Sequence, residues 1–138
     1  MVYGIGCDLC SIARMEKSLL GSHGAVFARR VFGPAEQAAL GLPLAEEEGT
    51  ARRTAHTVAS AAADFAAKEA FLKAAGTGLR EPFSLCEIEA VRLPGGAPAY
   101  HFSGRSAQWV EARRLRAHLS LSHEDGMAMA YCILETET

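Results

Sequence analysis

The feature that most constrains this chain is the stretch from about Arg53 to Ala75, dominated by alanine and free of proline and glycine. It predicts one long helix, because alanine gives up no side-chain entropy on becoming helical. It also predicts a helix that neighbours approach closely, since little side-chain bulk holds them away. Gly76 suits the left-handed position that ends such a helix. The last turns, in the segment DFAAKEAFLKAAGTG (64–78), nevertheless carry Asp64, Lys68, Glu69 and Lys73 among the small residues. Either these are surface charges on a packed helix, or they belong to a site.

The rest of the chain is punctuated around this helix. MVYGIGCDL is short, apolar and broken by glycine, which predicts a buried strand ending near Asp8. Ser11 is the expected N-cap of a helix IARMEKSLL that stops at Gly21. HGAVFARRVF reads as a second helical piece, broken by Gly33-Pro34. PAEQAALG reads as a third, with Pro34 in its first turn and Gly41 as terminator. Residues 41–52 are expected to form an exposed loop. FSLCEIEAVRL reads as a strand, PGGAP as a turn and AYHF as the antiparallel return. SGRSAQWVEARRLRA fits an amphipathic helix with Ala107, Val110, Ala112 and Leu115 turned inward. HLSLSH alternates, EDG marks a hairpin, and MAMAYCILE reads as a central, mostly apolar strand. The order predicts an α+β fold over residues 1–138 as one domain: a mainly antiparallel sheet with helices on one face.

Composition narrows the partners. The 138 residues suit a single core, and the 49% hydrophobic and 22% charged fractions are ordinary. A formal net charge of -2 argues against general nucleic-acid binding. The charge is uneven, however. Arg14, Lys17, Arg29 and Arg30 gather early, Arg113, Arg114 and Arg116 late, and Glu46, Glu47 and Glu48 lie between. A local basic patch of this kind can steer an acidic partner. No apolar run has membrane-spanning length and no basic leader precedes the first strand, so no membrane contact is expected. Cys7-x-x-Cys10 has no second pair to complete a zinc cage, with only Cys86 and Cys132 elsewhere. A redox pair is the lesser reading; reduced, buried thiols in a cytoplasmic protein are expected.

Few residues carry chemistry. Asp8 follows a buried strand, where it either caps the next helix or offers a carboxylate at a strand end. Glu69 precedes Lys73 by four residues, a pairing that on an exposed helix contributes roughly 0.2–0.5 kcal/mol, and Asp64 and Lys68 repeat the spacing. Glu69 also shares a face with Phe65 and Leu72, which turns it toward the interior. There a carboxylate is costly unless paired or bound to metal. Asp8 and Glu69 are too few for a protein-only cage. They suit Mg²⁺, or Mn²⁺, which keeps waters and takes oxygens from a substrate phosphate. His123 ends an alternating segment and shares its face either with Ser120 and Ser122 or with the leucines. Ser122 and His123 are ordinary turn residues or contacts to a phosphate. Gly76-Thr77-Gly78 permits close approach of backbone to a ligand but is no Walker loop, and GIGCDL lacks the third glycine of a dinucleotide fingerprint.

In order, GIGCDLCSIARMEK, FAAKEAFLKAAGTG and LSLSHEDGMAMAYCILE resemble the three motifs of the holo-acyl-carrier-protein synthase type of 4′-phosphopantetheinyl transferase. FARRVFGPAEQ, between the first two, extends the likeness over the whole chain. The resemblance implies a homotrimer with active sites between subunits. It implies Mg²⁺-dependent transfer of 4′-phosphopantetheine from coenzyme A to a serine of apo-acyl carrier protein, releasing adenosine 3′,5′-bisphosphate. By the same resemblance Asp8 and Glu69 match magnesium ligands, and Lys73 matches a lysine near the phosphates and the attacking hydroxyl. His123 matches a histidine that reaches the coenzyme A phosphates from a neighbouring subunit, and Arg14 a residue that docks the carrier protein. Lys68 then joins Lys73 in balancing phosphate charge, Gly76, Thr77 and Gly78 pass close to the ligand, and Lys17, Arg29 and Arg30 extend the docking patch. The chain departs from the pattern at Asp64, where the family usually has arginine. An acid beside a polyphosphate repels it, so Arg52 or Arg53 must supply the cation or coenzyme A binding weakens. Asp64 therefore favours the rival reading, a non-catalytic paralogue that binds coenzyme A or carrier protein. The loop at 41–52 is long for the family. The proton acceptor stays open among a water on the cation, Glu69, Glu124 and Asp125, as does service to fatty acid or polyketide synthesis.

Overall fold

A computed structural model describes residues 1–44 and 51–137, the side chains of 51–53 lying outside that description. The chain runs β1 (Val2–Ser11), α1 (Ile12–Leu20), α2 (Gly24–Val31), α3 (Pro34–Leu40), α4 (Ala51–Ala75) and a 3-10 turn (Leu85–Glu87). It continues with β2 (Ile88–Arg92), β3 (Pro98–Phe102), α5 (Gly104–Ala112), β4 (Leu115–Glu124) and β5 (Met127–Thr136). Among the described residues this is an α+β fold with five α-helices and antiparallel strand pairing throughout. The strands form two sheets rather than the one expected: β1-β5-β4, with β5 central, and the hairpin β2-β3.

The alanine-rich α4 is the axis of the structure. Ala66, Ala67, Ala70 and Ala74 are buried along it. A Cβ on Gly4 would overlap the carbonyl of Ala74, and one on Gly6 the carbonyl of Ala70, so β1 lies directly on the helix backbone. Small residues on both partners make that approach possible. Around the first half of α4, α1, α2 and the turn after it pack through Met15, Leu19, Val31 and Phe32 onto Val58, Ala61 and Ala62, with Leu40 of α3 against the same cluster. Around its second half, Phe71 and Leu72 meet Phe83, Ile88, Trp109, Cys132 and Leu134. Among the described residues α4 packs on this one side of the large sheet. On its other face Ile5, Leu9, Met129 and Tyr131 are exposed, Leu9 by 61%. Among the described residues no helix is long and apolar enough to cross a membrane.

Three boundaries differ from expectation. β1 does not end near Asp8. It stays paired with β5 to Ser11, with Asp8 opposite Ala130, because continuous backbone pairing outweighs the polar side chain. The segment 83–93 is not one strand. Its first part turns at Leu85–Glu87, where the Glu87 carbonyl accepts from Ser103 N, and β2 begins at Ile88. α5 stops at Ala112, not near Ala117, because Arg114 takes a left-handed conformation (φ 52°) and β4 starts at Leu115. Its buried residues are Ser106, Trp109 and Val110, whereas Ala112 is exposed and Leu115 is buried from β4. The hairpin at Asp125-Gly126 and the cap at Ser11, whose Oγ accepts from Arg14 N, are as expected. Residues 45–50 of the expected loop lie outside the described residues.

Candidate functional site where β1 crosses α4

Because Gly4 and Gly6 face α4, strand alternation turns Asp8 and Cys10 to the same side. Asp8 thereby meets the last third of α4. Lys73 reaches across, its Nζ donating to Asp8 Oδ1 at 3.0 Å and to the Cys7 carbonyl at 2.9 Å. This contact replaces the expected Glu69–Lys73 helix pair. It also replaces the alternative of Asp8 as a helix cap, a role that Ser11 fills. Glu69 is half-buried beside them; burial raises its carboxyl above the ordinary range, the negative charge of Asp8 raises it further, and Lys73 pulls it down. Lys73 stays protonated beyond the ordinary lysine range, chiefly through its hydrogen bond to Asp8.

Two hard-oxygen donors that repel one another, with a cation already drawn to one of them, have the chemistry of a divalent-cation site. Among the described residues no group of three or more His, Cys, Asp or Glu could hold a metal, so a protein-only cage is not built here. Asp8 and Glu69 fit Mg²⁺ as a partner to substrate oxygens. Cys7 and Cys10 do not form a redox pair: Cys7 lies on the exposed face of β1 and Cys10 turns to α4 beside Phe65, as their odd spacing along a strand requires. Past Asp8 a cleft of about 270 Å³ opens between β1, α1, α2 and α4, lined by Leu9, Cys10, Arg14, Phe27 and Phe65. Arg14, Lys17, Arg29 and Arg30 are all exposed on the adjoining helices.

Other expected site residues are placed differently. Lys68 does not balance phosphate charge. It is wholly buried, paired with Glu36, and donates to the carbonyls of Leu85 (3.1 Å) and Ile88 (2.6 Å). Asp64 likewise points inward, 4% exposed and held by Arg92 Nη2 at 3.2 Å, so its charge does not face the Asp8 site. Ser122 and His123 stand on opposite faces of β4. His123 shares the α4 side with Leu119 and Leu121, opposite Ala128, while Ser122 lies opposite Met129 on the outer face. His123 is two strand spacings, about 10 Å, from the β1 position in its row, Cys10. Gly76 and Gly78 adopt left-handed conformations (φ 80° and 63°), and Thr77 Oγ1 donates to the Gly78 carbonyl. Glu124 and Asp125 are exposed in the hairpin. Glu36 went unread in the sequence. Its one signal was its place three residues into a helix that begins Gly33-Pro34, from which its side chain accepts from Gly33 N.

A family description, the 4′-phosphopantetheinyl transferase superfamily, matches residues 4–132. The holo-acyl-carrier-protein synthase of Leptothrix cholodnii is 39% identical over 137 residues, covering 99% of this chain and 98% of that protein. Among solved structures, the holo-acyl-carrier-protein synthase from Neisseria meningitidis is 31% identical with a TM-score of 0.77, covering 99% of this chain and 100% of that one. The enzyme from Bacillus anthracis in complex with CoA (3′,5′-ADP) is 31% identical with a TM-score of 0.72, covering 99% of both chains. The chain belongs to the 4′-phosphopantetheinyl transferase superfamily. Within it, the relatives of similar length are holo-acyl-carrier-protein synthases.

Proposed function

We propose that this chain, as one domain, transfers the 4′-phosphopantetheine group of coenzyme A to a serine of apo-acyl carrier protein. The observation that carries the reading is the convergence of Asp8, Glu69 and Lys73 where β1 crosses α4, in a chain whose full-length relatives are named for that reaction. Asp8 and Glu69 would hold Mg²⁺ or Mn²⁺. Bound there, a hard divalent cation supplies charge neutralisation to the pyrophosphate and its leaving group. Lys73, 56% exposed and anchored by Asp8, keeps its ammonium at the site to bind phosphate oxygens. The serine oxygen bonds to the phosphorus bearing pantetheine, the bridging bond of the pyrophosphate breaks, and adenosine 3′,5′-bisphosphate departs. The serine proton passes to solvent or to a carboxylate at the site, Glu69 being the nearest to hand.

The exposed arginines and lysine around the cleft form, on this reading, the docking face for the acidic carrier protein. Rim charges of this kind act mainly on association rate. His123 lies away from its own Asp8 and serves the site of a neighbouring copy, the outer sheet face being the surface that joins copies into a trimer. Free cysteines fit a cytoplasmic setting. The feature that favoured a non-catalytic paralogue, Asp64, is turned into the interior and no longer supports it. The test is transfer itself: wild-type protein modifies apo-carrier protein with coenzyme A and Mg²⁺, and Asp8→Ala and Glu69→Ala, though folded, do not.

A further inference from the structure

We infer that Lys68, which touches no substrate, is a positioning residue for Glu69: it sets the rotation of α4 that aims Glu69 at Asp8. The inference rests on the proposed reading of that site. The Lys68 ammonium has three N–H donors, and each is used, on Glu36 Oε1, the Leu85 carbonyl and the Ile88 carbonyl. Its partner is equally committed. Glu36 accepts from Gly33 N at 3.1 Å and Ala90 N at 3.0 Å, and its own backbone N donates to Glu89 Oε2 at 2.9 Å. One side chain thus ties α4 to α3, to the 3-10 turn and to β2, and among the described residues no buried side-chain polar atom is left without a partner. Charge-assisted bonds in a water-free interior tolerate little displacement.

The opposite side of α4 supplies no such restraint. There β1 meets it through glycine against helix backbone, a smooth contact that sets separation more than rotation, and beside it the restraint is apolar packing of Leu72 against β5 rather than directed bonds. The Lys73–Asp8 pair, with the lysine more than half exposed, positions the ammonium but restrains the helix less than a buried pair does. Lys68 and Glu69 are neighbours about 100° apart on the helix, so fixing the direction of the first fixes the second. Nor does stability account for the pair, because apolar residues of the same shape often stabilise a fold as well as a buried ion pair.

The test uses the double variant Glu36→Gln/Lys68→Met, which removes both charges while keeping volume. Thermal unfolding first sets a temperature at which variant and wild type are both folded. Mn²⁺ affinity in the presence of coenzyme A is then read by electron paramagnetic resonance, alongside kcat and the carrier-protein KM. Mn²⁺ affinity and kcat are each expected to fall by about tenfold or more, as when an outer partner of a metal ligand is lost, with KM for carrier protein unchanged. Lys68→Gln, which keeps N–H donors, should show the same losses in smaller degree, and replaces the double variant if that does not fold. A folded variant with wild-type Mn²⁺ affinity and kcat overturns the inference. A wild type that neither binds Mn²⁺ with coenzyme A nor modifies carrier protein overturns the proposed function, and this inference with it.

Discussion

Asp64 changes meaning once its direction is known. Burial pushes its carboxyl from the ordinary 3.8 up to about 7, the charge of Glu36 adds to the rise, and Arg92 opposes it. A carboxyl raised in the folded state contributes stability that is full below pH 3.8 and is lost as pH climbs to about 7. Asp64→Asn removes that slope. Its melting temperature should match or exceed the wild type at pH 8 and lose this advantage at pH 5. A drop of several degrees at pH 8 would mean that the Arg92 pair outweighs the burial of the charge. The burial of Lys68 is hidden in the sequence for a related reason. Helix spacing showed Asp64, Lys68, Glu69 and Lys73 as one charged band, and the partners that sort them, Glu36 and Arg92, lie 32 and 28 positions away in sequence. That Asp8 and Lys73, 65 positions apart, come together was readable chiefly through the family resemblance of their two motifs, and the inward turn of Glu69 through helical phase, which placed it with Phe65 and Leu72.

At the scale of elements, the crossing of β1 and α4 is what makes a site from two distant segments. Gly6→Ala puts a Cβ into the Ala70 carbonyl, which is backbone and cannot swing aside. β1 must lift, at about 1–3 kcal/mol by the measure of overpacked cores. Chemical denaturation should show that loss, and Mn²⁺ binding should weaken with it as Asp8 moves from Glu69. Gly95→Ala, with nothing within 4 Å of the new Cβ, is the neutral control. Equal stability for both variants would contradict the close crossing. Alanine content and the caps made α1 to α4 legible in the sequence. The end of α5 was not, because Ala112 and Leu115 continue the three-residue apolar spacing of Ala107 and Val110, and the left-handed turn that ends the helix falls on Arg114, with no glycine to mark it.

At the scale of the whole molecule, β5 is apolar on both faces, and α4 covers only one of them. Ile5, Leu9, Met129 and Tyr131 remain in solvent in a single copy. An exposed apolar patch of this kind marks an association surface. Sedimentation at micromolar concentration should give three subunits, and Tyr131→Glu should give monomers with little transfer activity. A wild-type monomer would contradict both the trimer and the assignment of His123 to a neighbour. The strand pattern showed that this face needed a cover, but one chain's sequence does not show how copies are arranged. The most direct test of the account is the mass of apo-acyl carrier protein after incubation with this protein, coenzyme A and Mg²⁺. The account predicts the gain of one phosphopantetheinyl group with wild type, and no gain with Glu69→Ala or without the divalent cation. An unchanged carrier-protein mass with folded wild-type protein, or full modification by Glu69→Ala, would contradict it.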